Sequence, residues 1–182
     1  MYENTFPVKR FRITLEFLKK HITKNEVILD LGVSNPFSDI MTEQGYQVIN
    51  TQGEDLDEDT SALQNQSYQV VTAFEIFEHL LNPYTVLKNI QAEKLLISVP
   101  TRLWFASAYR SKTDPRDRHY HEFEPWQLDW LLEKTGWEIK DRIQFTHPVK
   151  KIGFRPLLRW FTPRYYLVYA VREGSPSSSS GW

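Results

Sequence analysis

Apolar and polar positions follow two rhythms along the chain. Between residues 8 and 22, Phe11, Leu15, Leu18 and Ile22 recur at spacings of four, three and four with Lys and Arg between them, which predicts an amphipathic helix. Short apolar runs then take over: Glu26–Leu31, Tyr46–Asn50, Tyr68–Phe74 and Lys94–Val99 read as buried strands, and Trp137–Phe145 and Tyr165–Val171 as two more. Helices are predicted between them. One runs from Asn35 to Gln44 with Pro36 in its first turn and Gly45 after its end. A second opens at Asn82-Pro83 and reaches about Gln91, and a third spans Pro125–Thr135, closed by Gly136. The stretch GEDLDEDTSALQNQS after the second strand is polar and reads as a loop. Strands alternating with helices over residues 26–99 predict βαβ units, a mostly parallel sheet and helices on both of its faces.

A chain of 182 residues supports one domain, expected over residues 1–173, followed by a Ser-rich tail, 174–182, expected to be disordered. No apolar run is long enough to span a membrane, and the first residues lack the pattern of a secretory signal, so the expected compartment is the cytoplasm. The absence of cysteine excludes a disulfide scaffold, a thiolate metal site and a cysteine nucleophile. The net charge of −1 hides an asymmetry. From Asn25 to Leu87 there is no Lys or Arg, while acids recur from Glu26 to Glu78; from Arg142 to Arg172 the reverse holds. Each cluster is either a solvated face or half of a site, the acidic part for a cationic or hydroxyl-rich group and the basic part for an anionic partner.

In open parallel sheets ligands bind beyond the carboxyl ends of the strands, which selects residues 30–36, 50–56, 74–81, 100–123 and 146–164. In the first of these, Asp30-Leu31-Gly32-Val33-Ser34-Asn35-Pro36, one glycine follows the strand and a helix N-terminus lies just beyond, so backbone can approach a ligand closely. The single glycine fails the G-x-G-x-x-G dinucleotide pattern.

In this order the pieces resemble the class I S-adenosylmethionine-dependent methyltransferases, from about Val27 to Arg172. Val27-Ile28-Leu29-Asp30-Leu31-Gly32 resembles the family's first motif, and Val70 to Leu80 followed by Asn82-Pro83 its fourth-strand motif. Leu95-Leu96-Ile97-Ser98-Val99-Pro100 is similar to its fifth strand, and His121-Glu122-Phe123 with Trp126–Gly136 to its late helical stretch. The resemblance implies an α/β, Rossmann-like, seven-stranded mostly parallel sheet with the last strand antiparallel, and S-adenosylmethionine as cofactor. It further implies that Asp30, Gly32 and Ser34 line the donor site with Phe74. Gln52 then stands where the family has an acid for the ribose hydroxyls, and Asp55 where an Asp meets the adenine. Ser34 and Pro36 replace the family's second and third glycines. Only 20 residues, Asn50 to Gln69, link the second strand to the next, so the family's third strand is expected to be shortened.

Glu75, Glu78 and His79 fall on one face of a helical turn. With His121, or with His119, they could hold Mg²⁺, Mn²⁺ or Zn²⁺. The set resembles the E-x-x-E-H-plus-distant-His metal site of small-RNA 3′-terminal 2′-O-methyltransferases, and E-x-x-E-H in the ubiquinone-pathway O-methyltransferases. In both the implied role of the metal is to gather the accepting hydroxyl and lower its pKa. Without metal, His79 or His121 could serve as general base, or the turn could simply be fixed by hydrogen bonds. His21 and His147 lack such neighbours. Residues 101–123 form a long connection with aromatics and arginines interleaved, suited either to cover a pocket or to stack a base and grip a phosphate. Lys150 to Phe161 reads either as a basic helix for an anionic membrane or nucleic acid, or as a connector packed on the sheet. The expected function is methyl transfer to a hydroxyl of a small molecule. The rivals are an RNA ribose 2′-O-methyltransferase with nucleic acid as partner and a non-catalytic Rossmann-like binding domain.

Overall fold

In the computed structural model, which describes residues 8–64, 67–114, 117–146 and 154–174, the apolar rhythm resolves into one sheet with helices on both faces. The elements in chain order are α1 (Val8–His21), β1 (Val27–Asp30), α2 (Pro36–Glu43), β2 (Gln47–Asn50), β3 (Val70–Phe74) and α3 (Pro83–Asn89). They continue with β4 (Lys94–Pro100), α4 (Pro125–Lys134), β5 (Trp137–Phe145), α5 (Phe154–Phe161) and β6 (Tyr165–Arg172). The sheet order is β2-β1-β3-β4-β6-β5. β1 to β4 run parallel, and β6 inserts antiparallel between β4 and β5, as expected for the last strand.

The period-2 alternation of the strands explains how one sheet carries two cores. Leu29, Val71, Leu95, Ile97, Val168 and Ala170 face α3 and α4, together with Val86, Leu87, Leu128 and Leu132. Ile28, Val70, Leu96, Leu167 and Tyr169 face α1 and α2 and meet Phe11, Phe17, Leu18, Phe37 and Met41. The interior strands are therefore apolar on consecutive residues, which is why they read as continuous runs. Trp137 is fully buried at the start of β5, and its indole N–H donates to the Leu87 carbonyl (3.4 Å).

The seven-stranded expectation is corrected to six strands among the described residues. Between β2 and β3 the acid-rich loop closes on itself, with the Glu58 and Asp59 N–H groups both donating to the Asp55 carbonyl. It then makes one 3₁₀ turn at Ser61–Gln64, and its large apolar residues are few: Leu56, Leu63 and Tyr68, all buried. A further parallel strand here would need two crossovers of a dozen or more residues each, and the 19 residues between β2 and β3 are too few for both. β2 is consequently the edge of the sheet, with Ile49 half exposed.

Candidate functional site

The loop after β1 turns at Gly32, whose φ of +108° a side chain rarely adopts. Its N–H donates to Thr51 Oγ1 (2.8 Å), and Asn50 Nδ2 donates to its carbonyl (3.3 Å), tying the tip of β1 to the tip of β2. Asp30, 2% exposed, is held by three donors: Thr72 Oγ1 (2.6 Å), Asn35 Nδ2 (3.2 Å) and Asn50 Nδ2 (3.2 Å). Burial outweighs these donors and pushes its carboxyl up to about 6. Asn35 also caps α2, accepting from the Phe37 and Ser38 N–H groups, while Ser38 Oγ accepts from the Asn35 N–H. This reciprocal cap fixes the helix N-terminus beside the loop although Pro36 supplies no N–H.

Beyond β3 the chain makes a tight turn. Glu75 sits at φ 59°, a left-handed conformation that a side chain pays strain to hold. Its N–H donates to the Ser98 carbonyl, its carboxylate accepts from Ser98 Oγ (2.9 Å), and Arg10 of α1 pairs with it (3.3 Å). The 3₁₀ turn Phe77–His79 then buries Glu78, whose Oε2 is enclosed without a hydrogen-bond partner. Burial, reinforced by the neighbouring Glu75 charge, holds the Glu78 carboxyl well above the ordinary range. His79 Nδ1 lies 3.0 Å from the Arg118 carbonyl. A carbonyl only accepts, so Nδ1 carries the proton and Nε2 presents a lone pair, 3.8 Å from Glu78 Oε1. Burial lowers the His79 pKa, which keeps the ring neutral.

The 101–123 connection folds back over this turn. Thr101 and Phe123 bridge its ends, and Arg110 bridges Arg118 within it. His119 Nδ1 meets Glu122 Oε1 (2.9 Å), which also accepts from the Tyr109 N–H (3.1 Å), and the His119 and His79 rings meet edge to face at 5.0 Å. Burial alone would raise the Glu122 carboxyl, but the His119 and Tyr109 hydrogen bonds and the Arg164 charge outweigh it and hold it low. Together these elements form a cavity of about 500 Å³, lined from the tip of β1 and the start of α2 by Asp30, Gly32 and Asn35 and from the turn after β3 and the 101–123 connection by Glu78, His79, Asp117 and His119. Arg10, Phe74, Ser98, Arg164 and Tyr165 complete the wall.

Of the residues expected from the sequence, Asp30, Gly32, Phe74, Glu75, Glu78 and His79 line this cavity. Ser34 is exposed and outside the lining. Gln52 is exposed, with its N–H donating to Glu54 Oε2, and Asp55 anchors the turn of the acidic loop. His121 also lies outside the lining; its N–H donates to the Glu78 carbonyl and its Nε2 is buried without a partner. His21 is structural, paired with Asp141 (2.8 Å) and stacked on Tyr169 (4.3 Å). His147, Lys150 and Lys151 lie outside the described residues. Asn50 and Asn35 were legible in principle as the polar residues at a strand tip and a helix cap; Arg10 and Thr14 of α1 carry no such signal.

Ligand atoms of Glu78, His79 and His119 lie within 4.8 Å of one another, with the orphaned Glu78 oxygen among the carboxylate pair. One carboxylate and two imidazole rings suit a borderline divalent ion, so the donor set fits a metal. The Gly32 cradle, the polar tips of β1 and β2 and a cavity of this size equally fit a nucleoside-bearing cofactor.

A family model described as a methyltransferase domain matches residues 9–141. No curated protein sequence matches the chain at a significant level. Among solved structures the chain is similar to a SAM-dependent methyltransferase of Archaeoglobus fulgidus, with 17% identity, 89% of this chain and 94% of the other covered, and a TM-score of 0.57. It is similar to one of Methanosarcina mazei at 11% identity, 86% and 97% coverage and a TM-score of 0.63. It also resembles phosphoethanolamine N-methyltransferase 2 of Haemonchus contortus, in complex with S-adenosyl-L-methionine, at 12% identity, 89% and 52% coverage and a TM-score of 0.61.

Proposed function

The chain belongs to the S-adenosylmethionine-dependent methyltransferases, and on that premise we propose that it methylates a hydroxyl oxygen of a small molecule in the cytoplasm, with His79 and His119 at the acceptor and Asp30, Gly32 and Phe74 at the donor. The observation that carries this reading is the sharing of one cavity by two chemically distinct walls. One wall is the loop and capped helix N-terminus after β1; the other carries two imidazoles, His79 fixed by a backbone carbonyl and His119 by Glu122.

The bound donor supplies a methyl group already activated on a sulfonium. What remains for the protein is alignment, exclusion of water and removal of one proton. Gly32 offers its backbone without a side chain in the way, and Asn50 and Thr51 hold that loop in place. Asn35 and Asp30 brace the start of α2 against the tip of β1. His119 is oriented by Glu122 through Nδ1, which leaves Nε2 to take the proton as the acceptor oxygen forms its new bond to carbon. Glu122, held low, stabilises the imidazolium that results. In place of His119 as base, Glu78, His79 and His119 would hold a divalent ion if one is bound, and it would draw the accepting oxygen in and lower its pKa.

One observation favours a second acceptor, an RNA ribose hydroxyl. The wall that covers the cavity exposes Trp104, Tyr109 and Tyr120 among Arg102, Arg110 and Arg118. The two acceptors are separated by assaying transfer of labelled methyl to phenolic and sugar alcohols and to single-stranded RNA at increasing salt, with and without a chelator. A small-molecule ether as product, at a rate insensitive to salt, is the expected result. Product methylated on nitrogen or carbon overturns the O-methyl assignment, and salt-steep transfer to RNA replaces the small molecule by RNA.

A further inference from the structure

The sequence left α5 either packed on the sheet or turned outward, and the structure turns it outward. Phe154, Leu157, Trp160 and Phe161 are 70%, 57%, 56% and 79% exposed. Phe154, Leu157 and Phe161 follow each other at helical spacing, so the large apolar side chains form one stripe along an eight-residue helix. A stripe of four large apolar groups in water is a standing cost unless something covers it.

We propose that α5 docks on an anionic lipid surface, its Phe–Leu–Trp–Phe stripe entering the boundary between headgroups and acyl chains. Two features select this occupant. The first is charge: Lys150, Lys151, Arg155 and Arg159 fall within ten residues at and just before the helix, and no acid occurs from Arg142 to Arg172. The second is composition. The exposed large groups among the described side chains of α5 are Phe154, Leu157, Trp160 and Phe161, an aliphatic and aromatic set of the kind that enters a membrane interface. A flanking aromatic extends the patch: Trp104 is 72% exposed, and its neighbours Leu103 and Ala106 share a small cavity with Arg159 and Arg164. The stripe therefore lies next to the catalytic cavity, because Arg164 and Tyr165, which follow α5, line that cavity too.

Flotation of the full chain with phosphatidylcholine vesicles, with and without one third phosphatidylglycerol, reads docking directly and without reference to methyl transfer. The expected result is binding to the anionic vesicles, at least about tenfold weaker for the L157E/F161E variant and weakened again by high salt. Both substituted side chains are exposed, and unchanged affinity of the variant for S-adenosylhomocysteine confirms that it is folded. Absence of wild-type binding to anionic vesicles overturns the proposal, as does a variant that binds like wild type. So does wild-type protein that ignores vesicles and self-associates through this helix, or that binds RNA instead.

Discussion

At the scale of single residues, the two histidines differ in how they are prepared for proton transfer. His79 is fixed by a backbone carbonyl and made less basic by burial; His119 is fixed by the Glu122 carboxylate, which sets its ring orientation. Replacing His119 by Gln should lower kcat about 10²- to 10⁴-fold, because a positioned base contributes on that order. Affinity for S-adenosylhomocysteine should stay within about twofold, since the ring belongs to the 101–123 connection and Gly32 and Asp30 to the tip of β1. Single-turnover kinetics with calorimetry on the same preparation would check this, and parallel losses in both quantities would remove His119 from proton transfer. The acceptor side was only partly visible in the sequence. Glu75, Glu78 and His79 share one turn and could be read together from their spacing, but the choice between His119 and His121 depends on which way a long connection folds back. Alternation along that connection gives no preference, because it is neither helix nor regular strand.

Whole elements were more legible, since helices and strands betray themselves by period and by their caps. Asn-Pro opens both α2-side and α3-side turns, at Asn35-Pro36 and Asn82-Pro83, and in each the Asn side chain accepts from the helix's first N–H groups. What the pattern did not reveal is that the caps do different jobs. The Asn82 side chain bonds only within α3, to the Thr85 N–H and hydroxyl, while its backbone N–H donates to Asp57 Oδ1 of the acid-rich loop (2.8 Å). Asn35 also donates to buried Asp30, so it links α2 to the tip of β1. Substituting either by Ala should cost about 1 kcal/mol in urea unfolding. Only Asn35→Ala should also weaken S-adenosylhomocysteine binding, by roughly tenfold if the loss of ordering costs about 1.4 kcal/mol. Equal affinities in the two variants would mean that the helix N-terminus does not organise the donor site. The strand count failed for a related reason. The likeness to a larger family supplied a seventh strand, whereas the acid-rich stretch after β2 has too little apolar surface to form it.

Taken as a whole, the molecule buries an acid at the tip of β1, and this has a thermodynamic signature. Asp30 titrates near 6 in the folded state against an ordinary 3.8, because removal from water outweighs its three donors. A carboxyl whose folded pKa is raised favours the folded state at low pH, and that contribution disappears as pH rises through the interval up to about 6. The full effect is roughly 3 kcal/mol, and about half of it should fall between pH 5 and pH 7.5. Other groups oppose it over the same range: burial lowers His21 and His79, and these favour the folded state less as pH falls. Absolute stability is therefore a poor readout, and the difference between wild type and Asp30→Asn is a good one, since an amide at this position does not titrate. Relative to the variant, wild type should lose about 1.4 kcal/mol from pH 5 to pH 7.5 in urea unfolding, whatever the offset caused by placing an amide among the Thr72, Asn35 and Asn50 donors. A difference that stays flat with pH would show that the carboxylate remains solvated, and with it that the tips of β1 and β2 stand open to water instead of closing around the loop that carries Gly32.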